Sequence, residues 1–280
     1  MHILQSVSIK GDGAINEDLA GHAEQAVWVF DGATGVSEPV IHPVSDARWF
    51  VERADYYLRG QLEAFKDKQT RAIASDVMAA LSAEFSADPS AQAAGPAPSA
   101  AFAMIRASTA FEVALLGDCM VLLSLEDGTV RAFKGMHSAA VEAESLAALK
   151  AAQARLPGAS PGQIRQQTSS ILRRNRTKMN TPGGYWIFST NRQAAQHMDI
   201  YRPINVDMSQ PFVLVSDGFS RAIDLLENMN DEALYQRIIH AGAKAVADDI
   251  RAAERRDSHC RRVPRFKCSD DATCVVVRAG

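Results

Sequence analysis

Four aspartates share one local setting, in which an apolar run leads directly into, or away from, a carboxylate. They stand in Val29-Phe30-Asp31-Gly32, Leu115-Leu116-Gly117-Asp118, Leu214-Val215-Ser216-Asp217-Gly218 and Ser269-Asp270-Asp271-Ala272-Thr273 ahead of Cys274 and three valines. Asn16-Glu17-Asp18 adds two more acids near the N-terminus. A carboxylate at a strand end is rigidly held, and several converging there repel one another unless a cation sits between them. Hard cations such as Mg²⁺ or Mn²⁺ take oxygen ligands, and a two-metal site needs a bridging carboxylate. Each Asp-Gly pair taken alone also reads as a turn. Periodicity does not show that the acids meet, so these residues by themselves stop at a candidate metal site.

The elements that must position them follow from hydrophobic spacing. ILQSVSIK alternates and AVWVF is a short apolar run, so the first thirty residues read as strands. Phe50, Ala54, Tyr57, Leu58, Leu62 and Phe65 fall at helical spacing within 45–66, and Ile73, Val77, Leu81 and Phe85 mark a second helix. The Ala-, Pro-, Ser- and Gly-rich segment 86–100 reads as a mobile loop. AFAMIRA, FEVALL, MVLLSL and VRAF, with Asp127-Gly128 between the last two, predict an antiparallel meander over 101–135. Residues 138–178 predict a helical stretch broken at Pro161; YWIFST and PFVLVS predict strands; 231–256 predicts a helix and ATCVVVRA a closing strand. Helical pairs alternating with meanders indicate an α+β protein whose sheets are covered by helices.

Composition narrows the class. The chain has 280 residues, 47% of them hydrophobic and 22% charged, with a net charge of −3, which suits a soluble globular protein without a global bias towards nucleic acid. No apolar run approaches membrane-spanning length, and the opening MHILQSVSIKGDG lacks a basic segment followed by an apolar core. A cytoplasmic, reducing setting is expected, with no membrane and no nucleic-acid partner. The four cysteines form no C-x-x-C pair, so buried thiols are expected rather than zinc at His259, Cys260 and Cys268.

The ordered motifs Asn16-Glu17-Asp18, Val29-Phe30-Asp31-Gly32-Ala33-Thr34-Gly35, Gly117-Asp118, Ser216-Asp217-Gly218 and Asp270-Asp271-Ala272-Thr273 through Val277 resemble the metal-dependent serine/threonine phosphatases of the type 2C (PPM) family, in its bacterial form. The resemblance spans residues 16–277 and implies one phosphatase domain over 1–280, an α-β-β-α sandwich of two antiparallel sheets flanked by helices. The segment 86–100 is then a loop within that domain, and 138–182 corresponds to a flap-like helical segment.

The resemblance also implies roles. Asp31 bridges two Mn²⁺ or Mg²⁺ ions, the Gly32 carbonyl binds one, and Asp217 and Asp270 complete the other shell. Glu17 and Asp18 hold metal-bound waters or ligate directly, and Asp118 matches a position that helps hold a third, weaker ion. The implied reaction is in-line attack of a metal-bridging water on a phosphorylated protein substrate.

Departures from the pattern bear on substrate grip. Gly13 stands where many relatives place a phosphate-binding Arg, leaving Lys10 or Arg192 as substitutes, and Ala33 stands where eukaryotic members carry His. Gly117-Asp118-Cys119-Met120 replaces the usual Gly-Asp-Ser-Arg. The basic cluster Arg251, Arg255, Arg256, Arg261, Arg262, Arg265 and Lys267 reads either as a solvated surface or as a landing site for an acidic phosphoprotein, with Arg261, Arg262 and Arg265 at its centre. Arg165, Arg173, Arg174, Arg176 and Lys178 carry the same two readings, while His137 and His197 read as structural. An aspartyl nucleophile is disfavoured because Ala33 occupies the second position of Asp-x-Asp, and Leu214 breaks a serine-hydrolase elbow around Ser216. The rival reading is a catalytically weak or inactive relative that binds phosphoproteins as a regulatory module.

Overall fold

The computed structural model describes residues 1–33, 41, 43–93, 97–135 and 139–279. Thr34, Gly35 and His137, invoked above, lie outside the described residues. In chain order the strands and helices begin with β1 (His2–Ile9), β2 (Asp18–Ala23), β3 (Ala26–Gly32), α1 (Asp46–Ala64), α2 (Thr70–Ala87), β4 (Ser99–Ala107), β5 (Phe111–Leu116), β6 (Met120–Ser124) and β7 (Val130–Lys134). There follow α3 (Ala139–Arg155), α4 (Pro161–Arg176), β8 (Phe188–Ser189), β9 (Asp199–Tyr201), β10 (Phe212–Val215), α5 (Asp217–Ser220), α6 (Ala222–Leu225), α7 (Asp231–Ala241), α8 (Ala243–Arg256) and β11 (Ala272–Arg278). One sheet runs β1-β11-β10-β6-β7; the other runs β2-β3-β4-β5-β9, with β8 beside β4. Every strand pair is antiparallel.

The period-2 rule explains the layering. On β3, Val27 and Val29 face the opposite sheet, whereas Trp28 and Phe30 face α1 and α2. β4 repeats this with Ala101, Ala103 and Ile105 against Phe102 and Met104. On β10, Phe212 and Leu214 enter the inter-sheet core while Val213 and Val215 meet α7 and α8. Central strands are thus apolar on both faces, which is why they read as unbroken runs. The result is the expected α+β sandwich of four layers, helix, sheet, sheet, helix. Phe30, Phe102 and Phe188 share the α1/α2 core with ring centroids 4.8–5.3 Å apart. Each such buried side chain contributes about 1.5–3 kcal/mol of transfer free energy.

Helix α4 starts at Pro161 under a capping box formed by Ser160 and Gln163. With α3 it stands apart from the main cores, joined by a small cluster of Leu149, Ala152 and Ile164 against Phe266. No helix among the described residues is long and apolar enough to cross a membrane.

Several local expectations change. The meander predicted for 101–135 is two hairpins in different sheets: β4–β5 belongs to one and β6–β7 to the other. The chain crosses at Gly117, whose φ of +91° favours glycine, and where a Cβ would stand 2.7 Å from that of Ala101. Within 86–100, α2 extends to Ala87, a 3₁₀ turn covers Pro89–Ala93 and β4 begins at Ser99. YWIFST yields only the two-residue β8. The helix predicted for 231–256 is two, because Gly242 at φ +91° ends α7 and starts α8.

Candidate active site

Antiparallel pairing builds the site. Asp31 sits near the end of β3, and β2 pairs with that strand so that Asp18 lies directly opposite it. In the other sheet Val215 of β10 is opposite Cys274 of β11, so the residues following one strand lie beside those preceding the other. Asp217 therefore opens α5 close to Asp270, and Asp118 arrives on the turn that changes sheets. The backbone N–H of Asp217 donates to Asp31 Oδ2 at 3.1 Å, which ties the two sheets together at this end. Gly218 is required by proximity rather than by turn geometry: a Cβ there would meet the Asp271 carbonyl at 2.0 Å.

The acids face a cleft of about 540 Å³ whose lining includes Asp31, Asp118, Asp217 and Asp270, with α3 and α4 supplying its far wall. Burial pushes the Asp31 carboxyl well above the usual range, and the charges of Asp18, Asp217, Asp118 and Asp270 push it further. Asp18 is 2% exposed, and burial pushes it up to about 7 despite the nearby hydroxyls of Thr273 and Ser216, with Asp271 and Asp217 adding repulsion. Ser216 Oγ also accepts from the Thr273 N–H at 2.9 Å, and Thr273 Oγ1 also pairs with Ser8 Oγ at 2.7 Å. Among the described residues, neither Asp18 oxygen has a hydrogen-bond partner of normal geometry.

Neighbouring acids are committed differently. Asp271 accepts from the backbone N–H groups of Gly11 and Glu17, each at 2.7 Å, and so fixes the loop before β2. Glu17, 8% exposed, accepts from the Ser45 hydroxyl, and its carbonyl takes the Gly32 N–H at 3.2 Å. Two cations neutralise part of the cluster. Arg221 Nη2 reaches Asp217 Oδ2 at 3.2 Å, and Lys267 Nζ reaches Asp270 Oδ1 at 2.6 Å. Burial works against the Arg221 charge, but Asp217, Asp270, Asp224 and Asp118 more than restore it. Lys267 likewise is raised by Asp270, Glu17 and Asp31 in spite of burial.

Among the described residues no three His, Cys, Asp or Glu side chains already stand in a metal-holding arrangement. The residues nonetheless fit hard divalent cations. The donor set is all oxygen, four neighbouring aspartates raise the proton affinity of Asp31, and the buried Asp18 oxygens have no cationic partner.

The other residues singled out from the sequence lie elsewhere or are engaged. Lys10 Nζ donates to the Gly13 carbonyl at 2.6 Å, and Arg192 lies against Ser75 Oγ of α2 at 3.4 Å; neither lines the cleft. Arg261 holds the carbonyls of Gln153, Leu156 and Pro157 at the end of α3, and Arg262 holds that of Leu225. Arg265 borders the cleft, but its guanidinium pairs with buried Asp257 and with local carbonyls. The three guanidiniums at the centre of the expected landing surface thus clamp loops together. His197 stacks on Trp186 at 3.5 Å. Arg221 and Tyr185, both in the cleft, had no place in the sequence reading. The spacing of Arg221 four residues after Asp217 on a helical turn was the available signal.

No protein-family profile matches the chain, and no curated protein matches it in sequence. Solved structures do match in shape. A bacterial serine phosphatase aligns with 98% of this chain and 97% of its own at a TM-score of 0.55 and 13% identity. The serine/threonine phosphatase Stp1 from Staphylococcus aureus aligns over 100% and 96% at 0.55 and 11%. The PPM Ser-Thr phosphatase MsPP from Mycobacterium smegmatis, in complex with cacodylate, aligns over 100% of both chains at 0.54 and 13%. The chain has the fold of the bacterial PPM serine/threonine phosphatases.

Proposed function

We propose that this protein hydrolyses phosphoserine and phosphothreonine on protein substrates at a binuclear Mn²⁺ or Mg²⁺ centre. The observation that carries the reading is the convergence of Asp18, Asp31, Asp118, Asp217 and Asp270, drawn from both sheets, around one cleft. Asp31, the Gly32 carbonyl, Asp217 and Asp270 would hold the two ions, Glu17 and Asp18 their waters, and Asp118 a third ion. Bound there, the cations supply Lewis acidity towards phosphoryl oxygens and generate a nucleophile from water at neutral pH. The chain's own part is positional. Asp31 and Asp217 are locked to each other through the Asp217 amide, and Asp271 holds the Glu17 backbone in register. Arg176, Arg221 and Lys267 border the same cleft and give it positive charge for an anionic substrate. The cacodylate held by the Mycobacterium smegmatis phosphatase is a tetrahedral oxyanion, in keeping with this reading. A reducing, cytoplasmic setting suits the four free thiols.

The ion pairs Arg221–Asp217 and Lys267–Asp270 favour a second reading, a phosphoprotein-binding module whose acids are neutralised internally. One assay separates the two: turnover of an aryl phosphate and a phosphothreonine peptide with Mn²⁺ against chelator. Mn²⁺-dependent turnover is expected, and Asp217→Asn should lower it on the order of 10²-fold or more with the circular dichroism spectrum unchanged. A folded Asp217→Asn variant with wild-type turnover would refute the metal role, and metal-independent peptide binding without turnover would establish the module.

A further inference from the structure

The loop joining α8 to β11 brings two thiols into contact. Cys260 Sγ and Cys268 Sγ lie 3.5 Å apart, whereas Cys119 and Cys274 are packed in separate cores. Cys260 is 1% exposed and Cys268 is partly exposed. Cys268 Sγ donates to the Ser258 carbonyl at 2.9 Å, and Cys260 Sγ lies 3.8 Å from the Lys267 carbonyl. Arg265, between them in sequence, holds the loop closed through the Cys268 carbonyl at 2.9 Å and Asp257 at 2.6 Å. Cys260 also takes a φ of +54°, uncommon for a residue other than Gly, Asn or Asp, so the backbone turns sharply where the thiol is delivered.

We propose that Cys260 and Cys268 form a reversible dithiol–disulfide site, oxidised by hydroperoxides, whose closure acts on the neighbouring carboxylate cleft. The disulfide stands on the thiol contact alone; its effect on turnover rests on the functional reading above. Cys268, the accessible thiol, takes one oxygen from the hydroperoxide as the O–O bond breaks, giving a sulfenic acid and one molecule of water or alcohol. The Cys260 sulfur then attacks the Cys268 sulfur, forming the S–S bond, and the sulfenic oxygen leaves as water with the thiol proton. Two thiols lose two electrons, and the hydroperoxide gains them.

Closure must draw the sulfurs from 3.5 Å to about 2.05 Å. Cys268 follows Lys267, whose ammonium holds Asp270, so this movement is transmitted to a residue of the cleft within two positions. Misplacement of reacting groups by about 1 Å can lower a rate on the order of 10²-fold. A loss on the order of 10-fold or more is expected on oxidation.

The test treats reduced full-length protein with stoichiometric hydrogen peroxide and reads intact mass, alkylatable thiols and linked peptides. The expected product has lost two hydrogens, about 2 Da, with Cys260 joined to Cys268 and recovery under dithiothreitol. Sulfinic or sulfonic acid at Cys268 beside an alkylatable Cys260 would overturn the site. In the same samples Mn²⁺-dependent aryl-phosphate turnover should fall and recover in the wild type, and stay unchanged in Cys260→Ser. Equal rates for the disulfide and dithiol forms would overturn the coupling. If even the reduced protein shows no Mn²⁺-dependent turnover, the functional reading fails by itself. The coupling is then read from the Mn²⁺-induced rise in melting temperature, which should shrink on oxidation, and an equal rise in both forms overturns it.

Discussion

Asp18 and Asp257 are both buried aspartates, 2% and 8% exposed, yet their surroundings are opposite. Asp257, just after α8, accepts from the N–H groups of Arg261, Arg262 and Val263 at 2.8–3.1 Å and pairs with Arg265 at 2.6 Å. Burial pushes its carboxyl up, but these donors overcome it and bring the group down to about 2. Asp18 has no backbone N–H or cation on it, and burial drives it up to about 7 in spite of the nearby Thr273 and Ser216 hydroxyls. The fold saturates one carboxylate to fix a loop. It leaves the other with nearby hydroxyls but no cation, at the place where four more acids converge. A buried charge without a partner is unfavourable, and the proposed metal centre would relieve that cost.

Breaking the satisfied side should have the largest effect on stability. Asp257→Asn presents an amide to donors that need an acceptor and leaves the buried Arg265 guanidinium without its counter-ion. A loss of about 3–5 kcal/mol is expected from the denaturant midpoint. A loss below about 1 kcal/mol would mean that the Asp257 loop is not held as described.

The unsatisfied side should gain what the other already has. Mn²⁺ at about 100 times its dissociation constant should stabilise the wild type by roughly 2.7 kcal/mol, if only the folded state binds it. Thermal unfolding would show this gain shrinking in Asp31→Asn and surviving in a folded Asp257→Asn. An unchanged melting curve in millimolar Mn²⁺ would remove the basis of the contrast.

Acid should distinguish the two groups by sign. The Asp257 carboxyl falls from 3.8 to about 2 on folding, so the folded state binds fewer protons than the unfolded one as pH drops through that window. Its contribution, about 2 kcal/mol, is complete above pH ~4 and is lost towards pH ~2. Asp18 runs the other way: its raised carboxyl favours the folded state at low pH and costs stability as pH rises from about 4 to about 7. Metal-free unfolding of wild type and Asp257→Asn, compared from pH 5 to pH 2, should therefore show their difference narrowing. A constant difference would put the value of Asp257 in packing instead of charge.

Much of this contrast could be read in the sequence on one side only. Asp31, Asp118, Asp217 and Asp270 stood out because apolar strands end in them, and strand ends are what a sandwich gathers at one edge. Helix positions came close because Leu58, Leu62, Ile73 and Val77 repeat at helical spacing; α1 and α2 bury these residues. The sheet switch at Gly117 was hidden, since two consecutive hairpins give the same alternation whether or not they share a sheet. Lys267 and Arg176 were visible only as members of basic runs, and Arg221 only through its spacing four residues after Asp217, because what assigns a cation is the acid it meets in the fold. Arg261, Arg262 and Arg265 misled for the same reason: a run of arginines looks like a surface until the carbonyls they bind are known.

The pairing of β1 with β11 joins His2 to Arg278. The five converging aspartates are correspondingly spread from position 18 to position 270. No shorter stretch of the chain contains them all, and a product ending before Asp270 lacks both that acid and β11, the strand that bridges β1 to β10. During synthesis the acids are therefore made one by one and meet only when the closing strand inserts. Contacts of such long sequence separation form slowly. A nascent chain that has not yet reached Asp270 therefore exposes separate carboxylates but never the assembled cluster.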